Sequence, residues 1–323
     1  MPLVRQRPLG TATVTAVGCG DVSLAIASAR NVDASELGRA LHHALALGIS
    51  LVEVAPEEDA ERLVGDAVRA LRLRDGTVVA THIALVAERP GAPKRDPLLD
   101  RLPARYVQER AEASLRATKL DVLPLVILPV HSDWPTSSAW PELLGTLDRL
   151  VREGKVLQWG RLVDDPAPDT SGVTQFVVTA GTLNLCQRPD GIQLARHPLA
   201  GGALAGHLGP GVALARQDDR RAVDPATLER MAVTAAHLAP LVHHEPPAAR
   251  SCDAARSMLE RGRRPDHLES PTVADLALRW VIDRDAIALP RLHRREHVDA
   301  AIAAASAPPL SLELRQRLDS LDT

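Results

Sequence analysis

Aromatic side chains are almost missing from this chain. Its 323 residues include one Phe, one Tyr and four Trp, 2% in all. Leu, Val and Ala must therefore fill the interior, and a hydrophobic content of 45% is normal for a globular protein with an ample core. Lysine is equally scarce, limited to Lys94, Lys119 and Lys155, so nearly all positive charge is arginine. Excess charge of either sign is missing too. The formal net charge of −3 gives no electrostatic case for nucleic acid or an anionic membrane surface. A short basic run, Arg261 to Arg264, reads as a solvated face. The three cysteines, Cys19, Cys186 and Cys252, lie far apart without a CxxC pair. That set argues against a disulfide framework and for a reducing, cytoplasmic setting. No apolar run is long enough to span a bilayer, and residues 1–10 lack the apolar stretch of a signal peptide.

What is present is an alternation of short β-branched runs with longer helical patterns, the mark of βα units on a parallel sheet. Expected strands are Val14 to Cys19, Ile49 to Val54, Thr77 to Ile83, Val122 to Val130, Val156 to Leu162, Phe176 to Thr179, Ile192 to Ala195 and Ala286 to Leu289. Asp33-Ala34-Ser35-Glu36 reads as a capping box opening a helix whose apolar face carries Leu37, Leu41, Ala44 and Leu45. Glu61 to Leu73, Ala104 to Thr118, Trp140 to Glu153 and Val273 to Val281 are further expected helices. Pro225 to Arg263 reads as a long helical region interrupted near Pro240 and Pro246-Pro247. Asp164 to Ser171 is too short and proline-rich for a full helix. Pro124 and Pro129 are odd within a strand, because proline removes a ladder donor and belongs at an edge, an end or a bulge. Eight strands with intervening helices predict a single (β/α)₈ TIM barrel, one domain over residues 1–323.

Several segments match one known family in order and spacing. Ile49-Ser50-Leu51-Val52-Glu53-Val54-Ala55 resembles a strand ending Phe-Asp-Thr-Ala. Val78-Val79-Ala80-Thr81-His82 resembles one ending Thr-Lys, and Leu125-Val126-Ile127-Leu128-Pro129 one ending at a His. Leu150 to Val156 matches Leu-Val-x-x-Gly-Lys-Val, and His197 to Gly206 is similar to Ser-Pro-Leu-Ala-x-Gly-x-Leu-Thr-Gly. Over nearly its whole length the chain resembles an aldo/keto reductase. The resemblance implies a catalytic Asp, Tyr, Lys and His, and the corresponding positions hold Glu53, Glu58, His82 and Pro129, with His131 the nearest histidine. It also implies NADPH contacts. At those positions Gly160-Arg161-Leu162-Val163 replaces Gly-Val-Ser-Asn, Val178 replaces a Gln, Gly181 replaces a stacking Tyr, His197 replaces a Ser, Arg291 replaces a Gly, and Ala300-Ala301 replaces Glu-Asn. His293, Arg294 and Arg295 still offer charge to a phosphate. On these substitutions no cofactor is expected.

Residues at the C-terminal ends of barrel strands converge on one pocket. The candidate catalytic residues are Glu53, Glu58, His82 and His131, with Asp21, Asp133, Trp134, Arg161 and His197 expected to line a substrate pocket. Glu53 and His82 end neighbouring strands, and a carboxylate that fixes an imidazole tautomer suits proton transfer near neutrality. The mix of His and carboxylates supplies metal-ligand types, but no short-spaced motif such as HExxH supports a metal. Cys19, between two glycines, reads as a small packing residue. The resulting expectation is a redox-neutral acid–base enzyme, a cyclase, lyase, dehydratase or isomerase, acting on a small molecule such as a secondary-metabolite intermediate. The alternatives are a non-catalytic binding protein and a divergent NADPH-dependent reductase that uses Glu58 or His82 as its acid.

Overall fold

The computed structural model describes residues 4–321 except 89–95, 164–172, 207, 209, 210, 215, 217 and 245–271. Cys252, Pro246-Pro247, the Arg261 to Arg264 run and the Asp164 to Ser171 connection lie outside the described residues.

The chain opens with an antiparallel hairpin, β1 (Gln6–Leu9) and β2 (Ala12–Thr15). The eight barrel strands follow as β3 (Cys19–Val22), β4 (Leu51–Val54), β5 (Val78–His82), β6 (Leu125–Pro129), β7 (Trp159–Leu162), β8 (Phe176–Thr182), β9 (Leu194–Arg196) and β10 (Ile287–Leu289). They lie in sequence order, each parallel to the next. A parallel bridge from Val17 to Ala288 brings the two ends of the sheet together. Helices α1 (Leu24–Ala29), α2 (Ala34–Ala46), α3 (Glu58–Ala70), α4 (Pro97–Arg101), α5 (Ala104–Thr118), α6 (Trp140–Arg152), α7 (Pro225–Leu238), α8 (Val273–Ile282), α9 (Arg295–Ser306) and α10 (Leu312–Asp319) complete the order. The eight-stranded barrel is thus the TIM barrel expected. Among the described residues no helix is long and apolar enough to cross a membrane.

Strand parity sorts the side chains. Leu51, Ala80, Ile127, Val178, Ala180, Leu194 and Leu289 form one apolar cluster inside the barrel, while Val52, Val79 and Ala195 pack outward with the helices. Leu9 and Val14 of the hairpin are fully buried in the inner cluster and plug the barrel at its N-terminal end. Gly20 permits the closest approach. A Cβ there would stand 2.1 Å from the Leu289 carbonyl oxygen, so only glycine lets β3 meet β10.

Two strand expectations shift. Val14 to Cys19 is not the first barrel strand; Val14 belongs to the hairpin, and β3 begins at Cys19. The two prolines sit where proline is tolerated. Pro124 precedes β6, and Pro129 closes it. The Asp33 cap is present, its side chain accepting from the Glu36 amide.

Candidate active site

The inward-facing residues one step above the apolar floor build the mouth of the barrel. Glu53 ends up beside His82 because β4 and β5 pair in register. His82 Nε2 lies 2.7 Å from Glu53 Oε1, and both side chains are buried. From the far side of the barrel Arg196, the last residue of β9, brings its Nε to 2.7 Å from the same oxygen. The other oxygen, Oε2, accepts the Asp21 amide at 2.9 Å. Asp21 has φ of +48°, a left-handed conformation that aspartate tolerates better than most residues. Its carboxylate faces Arg291, accepting from Nε at 3.0 Å and from the terminal nitrogen at 2.6 Å. Arg196 approaches the second Asp21 oxygen at 3.7 Å.

Burial by itself would drive the Glu53 proton affinity up. The Arg196 charge and the His82 contact outweigh it and hold the carboxyl well below the usual range. His197, next along the chain, is pushed the other way. Burial, then the Arg196 and Arg291 charges, lower its pKa to about 4, so it is neutral at physiological pH. The backbone carbonyl of His197 accepts from Asn184 Nδ2 at 3.0 Å.

Asp21, Glu53, Arg196, His197 and Arg291, but not the buried His82, border a groove of about 750 Å³ between the ends of β3, β9 and β10 and the start of α9. His293 borders it too. At its far end His293 is 5% exposed, and its Nε2 has no hydrogen-bond partner among the described residues. Burial and nearby Arg30, Arg291 and His297 lower the pKa of this imidazole to about 4. Helix α9 starts beside it with Arg294 as N-cap and no side-chain cap bond. Among the described residues no group of three or more His, Cys, Asp or Glu is arranged to hold a metal ion.

The structure therefore gathers Asp21, Glu53, His82 and His197 and leaves the other candidates elsewhere. Glu58 is corrected. It opens α3 with its side chain 74% exposed and paired along the helix to Arg62. Its neighbour Glu57 turns inward instead, accepting from Ser23 Oγ and the Leu24 amide at the start of α1. Arg161 is corrected by parity. Gly160 and Leu162 take the inward positions of β7, and Arg161 donates to Thr179 Oγ1 on the outer side of β8 at 3.1 Å. Trp134 is 2% exposed and packs into the cluster around α4, α5 and α6, with the His131 ring edge-on to it at 4.7 Å. Asp133 is exposed at the start of a short turn. None of Asp133, Trp134, His131 or Arg161 borders the groove.

Arg196 was missed by the sequence reading, although the signal was there. Leu194 and Arg196 share a strand face, so if Leu194 faces inward, Arg196 does too. Cys19, expected as a packing residue, is 2% exposed, and burial pushes its thiol up to about 12.

No family model and no curated protein matches the sequence. Solved structures do match. The glycerol dehydrogenase AKR11B4 from Gluconobacter oxydans is 21% identical, with a TM-score of 0.68 over 99% of this chain and 95% of that one. An aldo/keto reductase from Klebsiella pneumoniae, solved in complex with NADP and acetate, is 24% identical, with a TM-score of 0.60 over 97% and 94%. The holo form of the aldo-keto reductase AKR11C1 from Bacillus halodurans is 19% identical, with a TM-score of 0.61 over 98% and 95%. A Klebsiella pneumoniae aldo-keto reductase is also solved in complex with NADPH. These complexes overturn the expectation that the chain works without a cofactor. That expectation rested on counting lost side-chain contacts; of the positions counted, His197, Arg291, Ala300 and Ala301 border an open groove. From end to end, the chain carries the aldo/keto reductase fold.

Proposed function

We propose that this protein is an oxidoreductase of the aldo/keto reductase type that binds a phosphorylated nicotinamide dinucleotide and uses His82 as its proton donor. The observation that carries the reading is the His82–Glu53 contact at 2.7 Å, in which Glu53 borders a groove of about 750 Å³ that also carries Arg291 and Arg294. The phosphate end of such a nucleotide fits the residues present. The uncapped N-terminus of α9 offers backbone N–H groups to an anion. His293 offers a buried nitrogen that has no partner among the described residues, and Arg291 and Arg294 add charge beside it.

When bound, the nucleotide supplies or accepts the hydride. The chain's own residues manage the proton. Glu53 stays ionised and orients the His82 ring, which returns a proton to the carbonyl oxygen of a substrate. Asp21 holds Glu53 from the backbone side and is itself held by Arg291. Pro129 and Leu162, at the inward ends of β6 and β7, supply apolar surface across the mouth.

Calorimetric titration with NADPH tests the reading. A dissociation constant in the micromolar range, about −8 kcal/mol, supports it. No heat, together with no thermal shift at millimolar nucleotide, overturns it. A second reading is favoured by Arg196 at the centre of the mouth. It keeps the same acid–base pair but assigns it a redox-neutral cyclisation, elimination or isomerisation of an anionic intermediate. Nucleotide binding without oxidation or reduction of any carbonyl or alcohol tested would select that reading.

A further inference from the structure

We propose that Arg196 and Arg291 form an oxyanion site at the barrel mouth, occupied by the Asp21 carboxylate until a phosphate or carboxylate group of a ligand displaces it. Arg196 ends β9, Arg291 follows β10, and both face the groove. Asp21 lies between them. Its Oδ2 accepts from Arg291 at 3.0 and 2.6 Å, and its Oδ1 lies 3.7 Å from a terminal nitrogen of Arg196. Arg196 uses another atom, Nε, toward Glu53. Asp21 thus presents a planar oxyanion to two guanidinium groups, one oxygen toward each. A ligand phosphate or carboxylate offers the same chemistry, and the guanidinium fork suits both.

Burial separates this cluster from an ordinary surface pair. The side chains of Asp21, Arg196 and Arg291 are 14%, 18% and 13% exposed. The two guanidinium groups face two carboxylates, Asp21 and Glu53, so the charges balance only while Asp21 is in place. Glu53 is held by His82 and the Asp21 amide and does not turn to solvent. Asp21 is the carboxylate that can leave. Its backbone is pinned, because its amide donates to Glu53 and the Gly20 amide donates to the Pro290 carbonyl oxygen at 2.9 Å. Rotation about its Cα–Cβ bond alone carries the carboxylate into the groove. His197 stands in the same wall. Burial, then these same two guanidinium charges, keep its ring neutral, so it adds an N–H donor and no competing charge.

The site does not rest on the nucleotide reading, because its test uses inorganic phosphate alone. Phosphate is titrated calorimetrically into the parent protein, Asp21→Asn and Asp21→Gly. Both substitutions keep the backbone amide that Glu53 uses, and both residues tolerate the φ of +48°. Should one variant fold poorly, the other carries the test. Each is expected to bind phosphate about tenfold or more tightly than the parent, since a like charge at contact distance has been removed. Adding Arg291→Gln should erase the gain, and adding His293→Asn should keep it. No gain in the folded variants overturns the proposal. So does a gain that survives Arg291→Gln, or one that vanishes with His293→Asn and so belongs to the far end of the groove. NADPH titrated into the Asp21→Gly protein with and without saturating phosphate then identifies the source of the anion. Competition assigns the site to the nucleotide, and simultaneous binding assigns it to the substrate. A protein that gains phosphate but takes up no NADPH sinks the reductase reading and upholds the anion site.

Discussion

Two glutamates are buried to the same degree in two regions of this molecule, and their proton affinities are shifted in opposite directions. Glu53 in the barrel mouth is 1% exposed; Glu61 on α3 is 0% exposed. Glu53 meets Arg196, His82 and the Asp21 amide, and its carboxyl is held below the ordinary range. Glu61 faces α5, where Gly65 of α3 packs so tightly that a Cβ would stand 2.0 Å from the Thr118 carbonyl oxygen. Among the described residues neither Glu61 oxygen has a hydrogen bond of good geometry. Burial raises its pKa, and Ser114 and Arg110 offset this only in part. Burial alone does not decide the charge of a carboxyl group; the partners brought to it do. A shifted buried acid is therefore a site only where partners also face a groove, as Arg196 and Asp21 do for Glu53.

The most severe test of this contrast is Glu53→Gln. It leaves Arg196 without its carboxylate and should cost about 3–5 kcal/mol, the usual penalty for breaking a buried pair from one side. Urea unfolding measures it, and a loss under 1 kcal/mol would erase the distinction. Next is His82→Gln, which spares the Glu53–Arg196 ion pair. Any turnover should fall by about 10²- to 10⁴-fold while the midpoint of thermal unfolding stays close to that of the parent. Retained turnover would move the proton donor elsewhere.

A smaller effect is expected from pH. His197 and His293 are lowered to about 4, so between pH 6.5 and 4 the unfolded chain binds protons that the folded chain does not. Thermal stability should therefore fall as pH drops through that window. His293→Asn should flatten the fall; an equal slope in both proteins would count against a buried neutral His293. The smallest effect is at Glu61. A raised carboxyl contributes stability that is full below its unfolded value near 4.5 and is lost as pH rises through the folded one. Glu61→Gln should thus gain stability, about 1 kcal/mol, at pH 8 and less at pH 5. A uniform loss at both would mean that Glu61 has a partner after all.

The barrel was legible in the sequence because each buried parallel strand is a run of branched apolar residues, as in Val78-Val79 or Leu125-Val126-Ile127. It was least legible at β3, whose Cys-Gly-Asp-Val has no such run, while the hairpin beside it does. The Glu53–His82 pair was readable because both residues end adjacent strands, where pairing in register fixes their separation. Loop and helix-start candidates were not readable in the same way. Glu58 follows a strand by only a few residues, yet the first turn of α3 sends its side chain to Arg62 and sends Glu57 inward. Arg161 and Arg196 both sit near strand ends and differ only in parity, which requires knowing which residue below each faces the floor.

The β1–β2 hairpin makes the barrel a cup with a single rim. Leu9 and Val14 seal its base, so no ligand held against the floor can leave by a back door. If the nucleotide and substrate of the proposed function stack in that cup, the last to enter is the first to depart. A turn at the opposite end of the barrel then helps to set the order of addition and release.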